Sequence, residues 1–194
     1  MSTVHLLAMT GSARRESLNR KALSVLVAGA EGAGAAVTVV EPYAYPLPLY
    51  DGDLETTSGL PEAAAELQRL FASHDGLLLA GPEYNGFFSP LIKNTLDWVS
   101  RPMSDGRPGT IHVRGKPACI ASASPGALGG IRSLQHTRLY LSNLGFVVLP
   151  DQVGVPFANK VFGDDGSLTD ERLRGALESA GAAVAHMARL LKTG

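Results

Sequence analysis

Cysteine is almost missing from this chain: Cys119 stands alone among 194 residues, so no internal disulfide can form and the fold must be held by packing. Its neighbours Pro117-Ala118 and Ile120-Ala121 are apolar, which reads as a small buried hydrophobe rather than a reactive thiol. An excess of either charge is missing too. Lys and Arg number 17 against 18 Asp and Glu, a formal net charge of -1, so the positive footprint of a nucleic-acid binder is not there. Long apolar runs are also lacking. Met1 to Thr10 is mostly apolar, but it contains His5, has no basic leader and is too short for a signal peptide or a membrane span. A cytoplasmic protein without nucleic-acid or membrane partners is expected. The five histidines, His5, His74, His112, His136 and His186, show no H-x-x-x-H or Cys/His spacing, so they are expected to be structural or surface residues and no metal site is expected.

Two common nucleotide cradles are missing as well. No G-x-G-x-x-G follows the first apolar run, and no G-x-x-x-x-G-K-[ST] occurs anywhere, which argues against a dinucleotide Rossmann site and a P-loop NTPase. What remains is an ordinary globular composition, 45% hydrophobic and 18% charged, at a length that fits one domain over residues 1–194.

Short apolar runs alternate with longer segments of helical period, the pattern of βαβ units building a parallel sheet. The runs 4–9, 36–40, 76–80, 117–121 and 146–149 read as strands, apolar at consecutive positions because helices cover both faces. Helices are expected from Ser17, an N-cap, through Gly29; after Pro61 to Phe71; from Leu91 to Val99; from about Leu128 to Leu144; and from Thr169 to Leu191. Residues 41–59 and 100–116 read as irregular loops. The fold class expected is α/β, a doubly wound, five-stranded parallel sheet of flavodoxin-like order 2-1-3-4-5 in three α/β/α layers.

In such a sheet, ligands sit beyond the carboxyl ends of the strands. The first loop, Thr10-Gly11-Ser12-Ala13-Arg14-Arg15-Glu16-Ser17-Leu18-Asn19, supplies hydroxyls, an amide, an arginine at Arg14 or Arg15 and a helix N-terminus, the parts of a phosphate cradle. Taken alone, it also fits a capping serine beside two solvated arginines. The second loop, Pro82-Glu83-Tyr84-Asn85-Gly86-Phe87-Phe88, offers turn backbone and aromatic faces to a flat heteroaromatic ligand. Glu83 as a general acid or base is disfavoured, since no partner that would shift its pKa is identifiable in the sequence. Trp98 fits a core or subunit interface better than a cofactor contact. The third loop, Ser122-Ala123-Ser124-Pro125-Gly126-Ala127-Leu128-Gly129-Gly130, lets backbone lie close to a ligand. Three such loops together weigh more than any one.

The segments GSARRESLN, PEYNGFFSPLIKNTLDW and SPGALGG resemble, in order and spacing, the NADPH-dependent FMN reductases of flavodoxin-like fold, relatives of quinone-, chromate- and azo-reducing enzymes. The resemblance runs from about Thr3 to Lys160. It implies that Ser12, Arg14, Ser17 and Asn19, with Leu18 between them, hold the FMN phosphate. It also implies that Pro82, Glu83, Tyr84 and Asn85 line the flavin and ribityl chain, and that Ser124 and Gly126 close the other side. No catalytic side chain is implied, because the flavin carries the hydride chemistry. The activity expected is electron transfer from NADPH or NADH through FMN to a small acceptor such as a quinone, free flavin, chromate or azo compound, with ping-pong kinetics, in a homodimer or homotetramer. Two other readings stand beside it: a flavodoxin-type electron carrier, which the net charge of -1 disfavours, and a non-redox module for a phosphorylated ligand.

Overall fold

The computed structural model describes residues 3–163 and 165–193. In chain order the elements are β1 (Val4–Thr10), α1 (Leu18–Gly32), β2 (Ala35–Val40), α2 (Gly52–Ser58), α3 (Glu62–Ser73), β3 (Gly76–Ala80), β4 (Glu83–Tyr84), β5 (Phe87–Phe88), α4 (Pro90–Val99), β6 (Pro117–Ala123), α5 (Ile131–Leu144), β7 (Val147–Val155), α6 (Ala158–Val161) and α7 (Glu171–Thr193). Short 3-10 turns lie at Pro42–Ala44 and Gly109–His112. The main sheet is parallel with order β2-β1-β3-β6-β7, which is 2-1-3-4-5 once the separate β4-β5 hairpin is set aside.

Strand periodicity sorts the core into two layers. Leu6 and Ala8 of β1, Leu78 of β3 and Cys119 of β6 face α1 and α7, while Leu7, Met9, Leu77, Leu79 and Ile120 face α3, α4 and α5. Strand β3 is buried over its whole length, as a central parallel strand covered on both faces must be. Cys119 is fully buried, and that burial pushes its thiol pKa up to about 12. No helix among the described residues is long and apolar enough to cross a membrane.

Four of the differences from the sequence expectation have a physical reason that bears on the fold. Strand β7 does not stop at Leu149 but runs to Val155, because a bulge absorbs Pro150: pairing jumps from Ala118–Val148 to Ile120–Gln152, so the missing N–H of Pro150 costs no ladder bond. Arg138 takes up the freed carbonyls, donating to Val148, Leu149 and Pro150 at 3.1, 2.8 and 3.0 Å. Helix α5 begins at Ile131 rather than near Leu128, since Gly129 and Gly130 sit at φ +59° and +82°. Helix α7 begins at Glu171, two residues after Thr169, because Asp170 caps it by accepting from the Leu173 N–H at 3.0 Å.

The fourth difference is the stretch 41–59, which is no open loop. Asp51 caps α2 by accepting from the Asp53 N–H at 2.8 Å, and α4 staples the segment down. Asn94 Nδ2 and Trp98 Nε1 both donate to the Pro48 carbonyl, at 2.9 and 2.8 Å, and Arg101 Nε donates to Glu55 at 2.9 Å. Trp98 is thereby fixed as a fully buried core residue.

Helices α1 and α7 cross with backbones almost touching. A Cβ on Gly181 would lie 2.0 Å from the Leu26 carbonyl oxygen, whereas one on Gly175 would meet nothing within 4 Å. Gly181→Ala is therefore expected to destabilise the fold by about 1–3 kcal/mol through overpacking, and Gly175→Ala to stabilise it by about 1 kcal/mol through helix propensity. Urea unfolding of the two variants checks this; equal effects would refute the contact.

Candidate functional site

At the carboxyl ends of β1, β3 and β6 lies a narrow cleft of about 110 Å³, lined by Ser12, Arg14, Ser17, Leu18, Asn19, Pro82, Glu83, Tyr84, Ala123, Ser124 and Pro125. Every site residue named from the sequence lines it except Asn85 and Gly126, which stand just outside. Ala123 and Pro125 are the additions, both adjacent to residues already singled out.

One wall is the N-terminus of α1. Ser17 is its N-cap, with extended backbone and a hydroxyl that accepts from the Arg20 N–H at 3.3 Å. The Lys21 N–H goes to the Ser17 carbonyl at 3.1 Å. That leaves the Leu18 and Asn19 N–H groups, the first two of the helix, without intrahelical acceptors and at the positive end of its dipole. Ser12 and Ser17, each 4% exposed, both accept from backbone N–H groups, so each keeps its own O–H for the cleft. Arg14 is exposed on the cleft wall and makes no ion pair among the described residues. The neighbouring cation Arg20 is not available in this way, because Glu41 pairs with it.

Asn19 plays a different part from the one its amide suggested. Its Nδ2 donates to the Ala123 carbonyl at 3.0 Å and its Oδ1 accepts from the Ala123 N–H at 2.8 Å. The side chain is thus a strut between α1 and the end of β6, and Asn19 offers the cleft chiefly its backbone N–H.

The opposite wall is the β4-β5 hairpin. Asn85 and Gly86 turn it with φ +53° and +84°, the left-handed pair that a two-residue hairpin demands. The dipeptide Asn-Gly between Tyr84 and Phe87 is a hairpin signal that the sequence reading passed over as a loop.

Glu83 has the partner that the sequence could not reveal. Its Oε1 accepts from Arg132 Nε at 2.7 Å, and its Oε2 from the Arg132 and Ser133 N–H groups at 3.1 and 3.2 Å. Helix α5 starts after Gly130, which has no side chain to cap with, so a carboxylate from the hairpin caps it instead. Burial pushes the Glu83 pKa up, but the Arg132 hydrogen bond and the two backbone donors outweigh it and hold the carboxyl below its ordinary range. A carboxylate so engaged is a clamp and not a general acid. The only acid lining the cleft among the described residues is therefore already neutralised, and the remaining polar groups favour an anion.

The aromatics beyond the hairpin divide. Phe88 and Trp98 are buried, whereas Phe87 is half exposed and stacked on His136 with ring centroids 4.3 Å apart. It lies with exposed Tyr84, Leu128, Ile131 and Leu139 on the hairpin and the neighbouring loop and helix α5.

A parallel sheet in this order, with an anion cradle where its first strand meets its first helix, defines the flavodoxin-like class. FerB, a flavoenzyme NAD(P)H:(acceptor) oxidoreductase from Paracoccus denitrificans, superposes with a TM-score of 0.80 at 28% identity over 97% of this chain and 98% of its own. Within that class the chain belongs to the NADPH-dependent FMN reductase family, whose model matches residues 4–160. An NAD(P)H-dependent FMN reductase of Pseudomonas aeruginosa is 31% identical over 172 residues, 88% of each chain. A quinone reductase of Escherichia coli K12 is 33% identical over 127 residues, and the match spans 64% of its length and 64% of this chain. FMN is the cofactor that the family's name carries.

The residues present fit that cofactor at its phosphate end. Two buried hydroxyls, two unpaired helix N–H groups and one unpaired arginine suit a phosphate dianion. A cleft of about 110 Å³ is too small for the tricyclic ring.

Glu83→Gln keeps the side-chain shape and removes its charge. It is expected to lower stability at pH 7 by about 1 kcal/mol, less than the about 1.5–3 kcal/mol of a charged hydrogen bond because Arg132 is largely exposed. Because the folded pKa is depressed, that contribution is present above the ordinary glutamate range and is lost as pH falls through the lower folded value. Denaturation of both proteins from pH 7 down to pH 3 should show the gap closing; a constant gap would contradict the charge argument.

Proposed function

We propose that the chain works as one FMN-binding domain of a cytoplasmic NAD(P)H-dependent reductase, passing electrons to a small acceptor of the quinone type. The observation that carries this reading is the convergence of Ser12, Arg14, Ser17 and the Leu18 and Asn19 N–H groups on one cleft whose only carboxylate among the described residues, Glu83, is already paired. In the proposed assignment these groups hold the phosphate. The backbone of Pro82, Glu83, Tyr84 and Asn85 supports the ring, and the Ser124–Gly126 loop bounds the other side. Bound FMN supplies a two-electron acceptor and donor, which is why no acid, base or nucleophile is required of the protein.

The chain's own work is binding, orientation and exposure. The Asn19 strut fixes the width of the phosphate end, and the Glu83 clamp fixes the hairpin under the ring. The ring's outer face is left open, so nicotinamide and acceptor use it in turn, which is ping-pong order. The exposed apolar surface of Tyr84, Phe87, Leu128, Ile131 and Leu139 beside that face supports a homodimer that covers it. The relatives named for quinone reduction support a quinone as acceptor. A flavodoxin-type carrier remains disfavoured by the net charge of -1.

Purified protein is expected to be yellow and to bleach on anaerobic NADPH, and its affinity for FMN should exceed that for riboflavin, which lacks the phosphate. Equal affinities by fluorescence quenching would count against the cradle. Arg14→Ala should weaken FMN binding by roughly ten- to more than hundredfold, the equivalent of losing about 1.5–3 kcal/mol, with turnover per bound flavin nearly unchanged. Parallel double-reciprocal lines for NADPH and a quinone are expected, and intersecting lines would exclude ping-pong order. Sedimentation should give at least a dimer of the 20.3 kDa chain.

A further inference from the structure

Outside the cleft, one side chain is held where its backbone does not want to be. Phe157 has φ +47°, and among the described residues only it and the hairpin's Asn85 lie in the left-handed region without being glycine. A side chain as bulky as phenylalanine is strained there, and such strain persists only where surrounding contacts impose it. Here they come from the cleft wall. The Phe157 N–H donates to the Gly126 carbonyl at 3.2 Å and the Ala158 N–H to the Ser124 carbonyl at 2.9 Å, while the Lys160 N–H closes on the Phe157 carbonyl at 2.7 Å.

Packing does not explain the phenylalanine. The residue is 45% exposed and belongs to neither hydrophobic cluster. The strained backbone leaves the side chain half exposed, with Lys160 Nζ over the ring in a cation–π contact, 5.6 Å from its centroid, and in no ion pair among the described residues. An exposed ring beside an unpaired ammonium suits a ligand with a flat base and a phosphate: the ring stacks on the base, and the ammonium meets the anion.

We infer that Phe157 and Lys160 form a subsite for the adenosine-phosphate half of NAD(P)H, on the rim of the cleft beyond Ser124–Gly126. The inference rests on the reductase reading above. With the nicotinamide over the open face, the rest of the dinucleotide has to leave across a rim, and the Ser124–Gly126 rim is hydrogen-bonded directly to Phe157.

The test uses FMN-loaded enzyme with a quinone at saturation and compares KM for NADPH with KM for reduced nicotinamide mononucleotide, which lacks the adenosine half. Phe157→Gly removes the ring while giving the backbone a residue at ease at φ +47°. It should raise KM for NADPH about tenfold, the scale of one base-stacking contact, and leave KM for the mononucleotide unchanged. Phe157→Tyr should restore the value, and Lys160→Ala should raise it severalfold for NADPH alone. Calorimetry with adenosine 2′,5′-bisphosphate should show the same weakening in Phe157→Gly without any turnover. Unchanged NADPH KM and bisphosphate affinity in Phe157→Gly, or an equal rise for both donors, would overturn the subsite. Wild-type enzyme oxidising neither donor would overturn the reductase reading instead, and the calorimetry would still judge the subsite.

Discussion

The cleft depends on one buried amide bridging elements 104 residues apart in sequence. Asn19, in the first turn of α1, donates to and accepts from the backbone of Ala123, at the end of β6. Those two bonds satisfy a peptide group that the sheet leaves unpaired as it ends, and a buried peptide left unpaired costs about 1–3 kcal/mol per group. The bridge also fixes how far the helix terminus stands from the loop after β6, which is the width of the cleft. The unpaired N–H groups of Leu18 and Asn19, the hydroxyls of Ser12 and Ser17 and the loop at Ser124 all take their positions from it.

A second long-range clamp works by the same logic on the other wall. Gly130 gives α5 a sharp left-handed start but no capping side chain, and Glu83 from the hairpin fills that role from 49 and 50 residues away. One carboxylate thus caps a helix, pairs with Arg132 and locks the turn at Asn85-Gly86. Its electrostatic effect matters as much as its mechanical one. With Glu83 neutralised by Arg132, and Arg20 neutralised by Glu41 behind α1, the cleft keeps Arg14 and the helix dipole as its uncompensated charges, both of the sign that an anionic ligand requires.

Much of the frame was legible from local pattern. The five strand cores and the cover of helices on both faces follow from runs such as Gly76–Ala80 that are apolar at every position, while the strand order came with the fold class and not from periodicity; the loop from β1 into α1 follows from Gly11, Ser12 and the Ser17 cap. These features depend on residues close in sequence and on a period of two or 3.6, so a linear reading finds them. The Asn85-Gly86 hairpin was equally local and could have been read from its dipeptide. Residues 41–59 could not, because α2 lies where it does through the carbonyl of Pro48 meeting Asn94 and Trp98 on α4.

By itself, then, the sequence determined the fold class, the place of the cleft at the ends of the strands and the residue types gathered there, since all three rest on hydrophobic period, turn chemistry and helix capping within short spans. Only the tertiary structure decided what each polar group is free to do. Asn19 reads as a ligand donor and serves as a strut, and Glu83 reads as an unpartnered acid and serves as a cap. Phe157 reads as one more apolar residue, yet it stands strained and exposed at the rim. Hydrogen-bond partners of buried groups come from whichever elements the packed sheet brings together, and no local pattern records that choice.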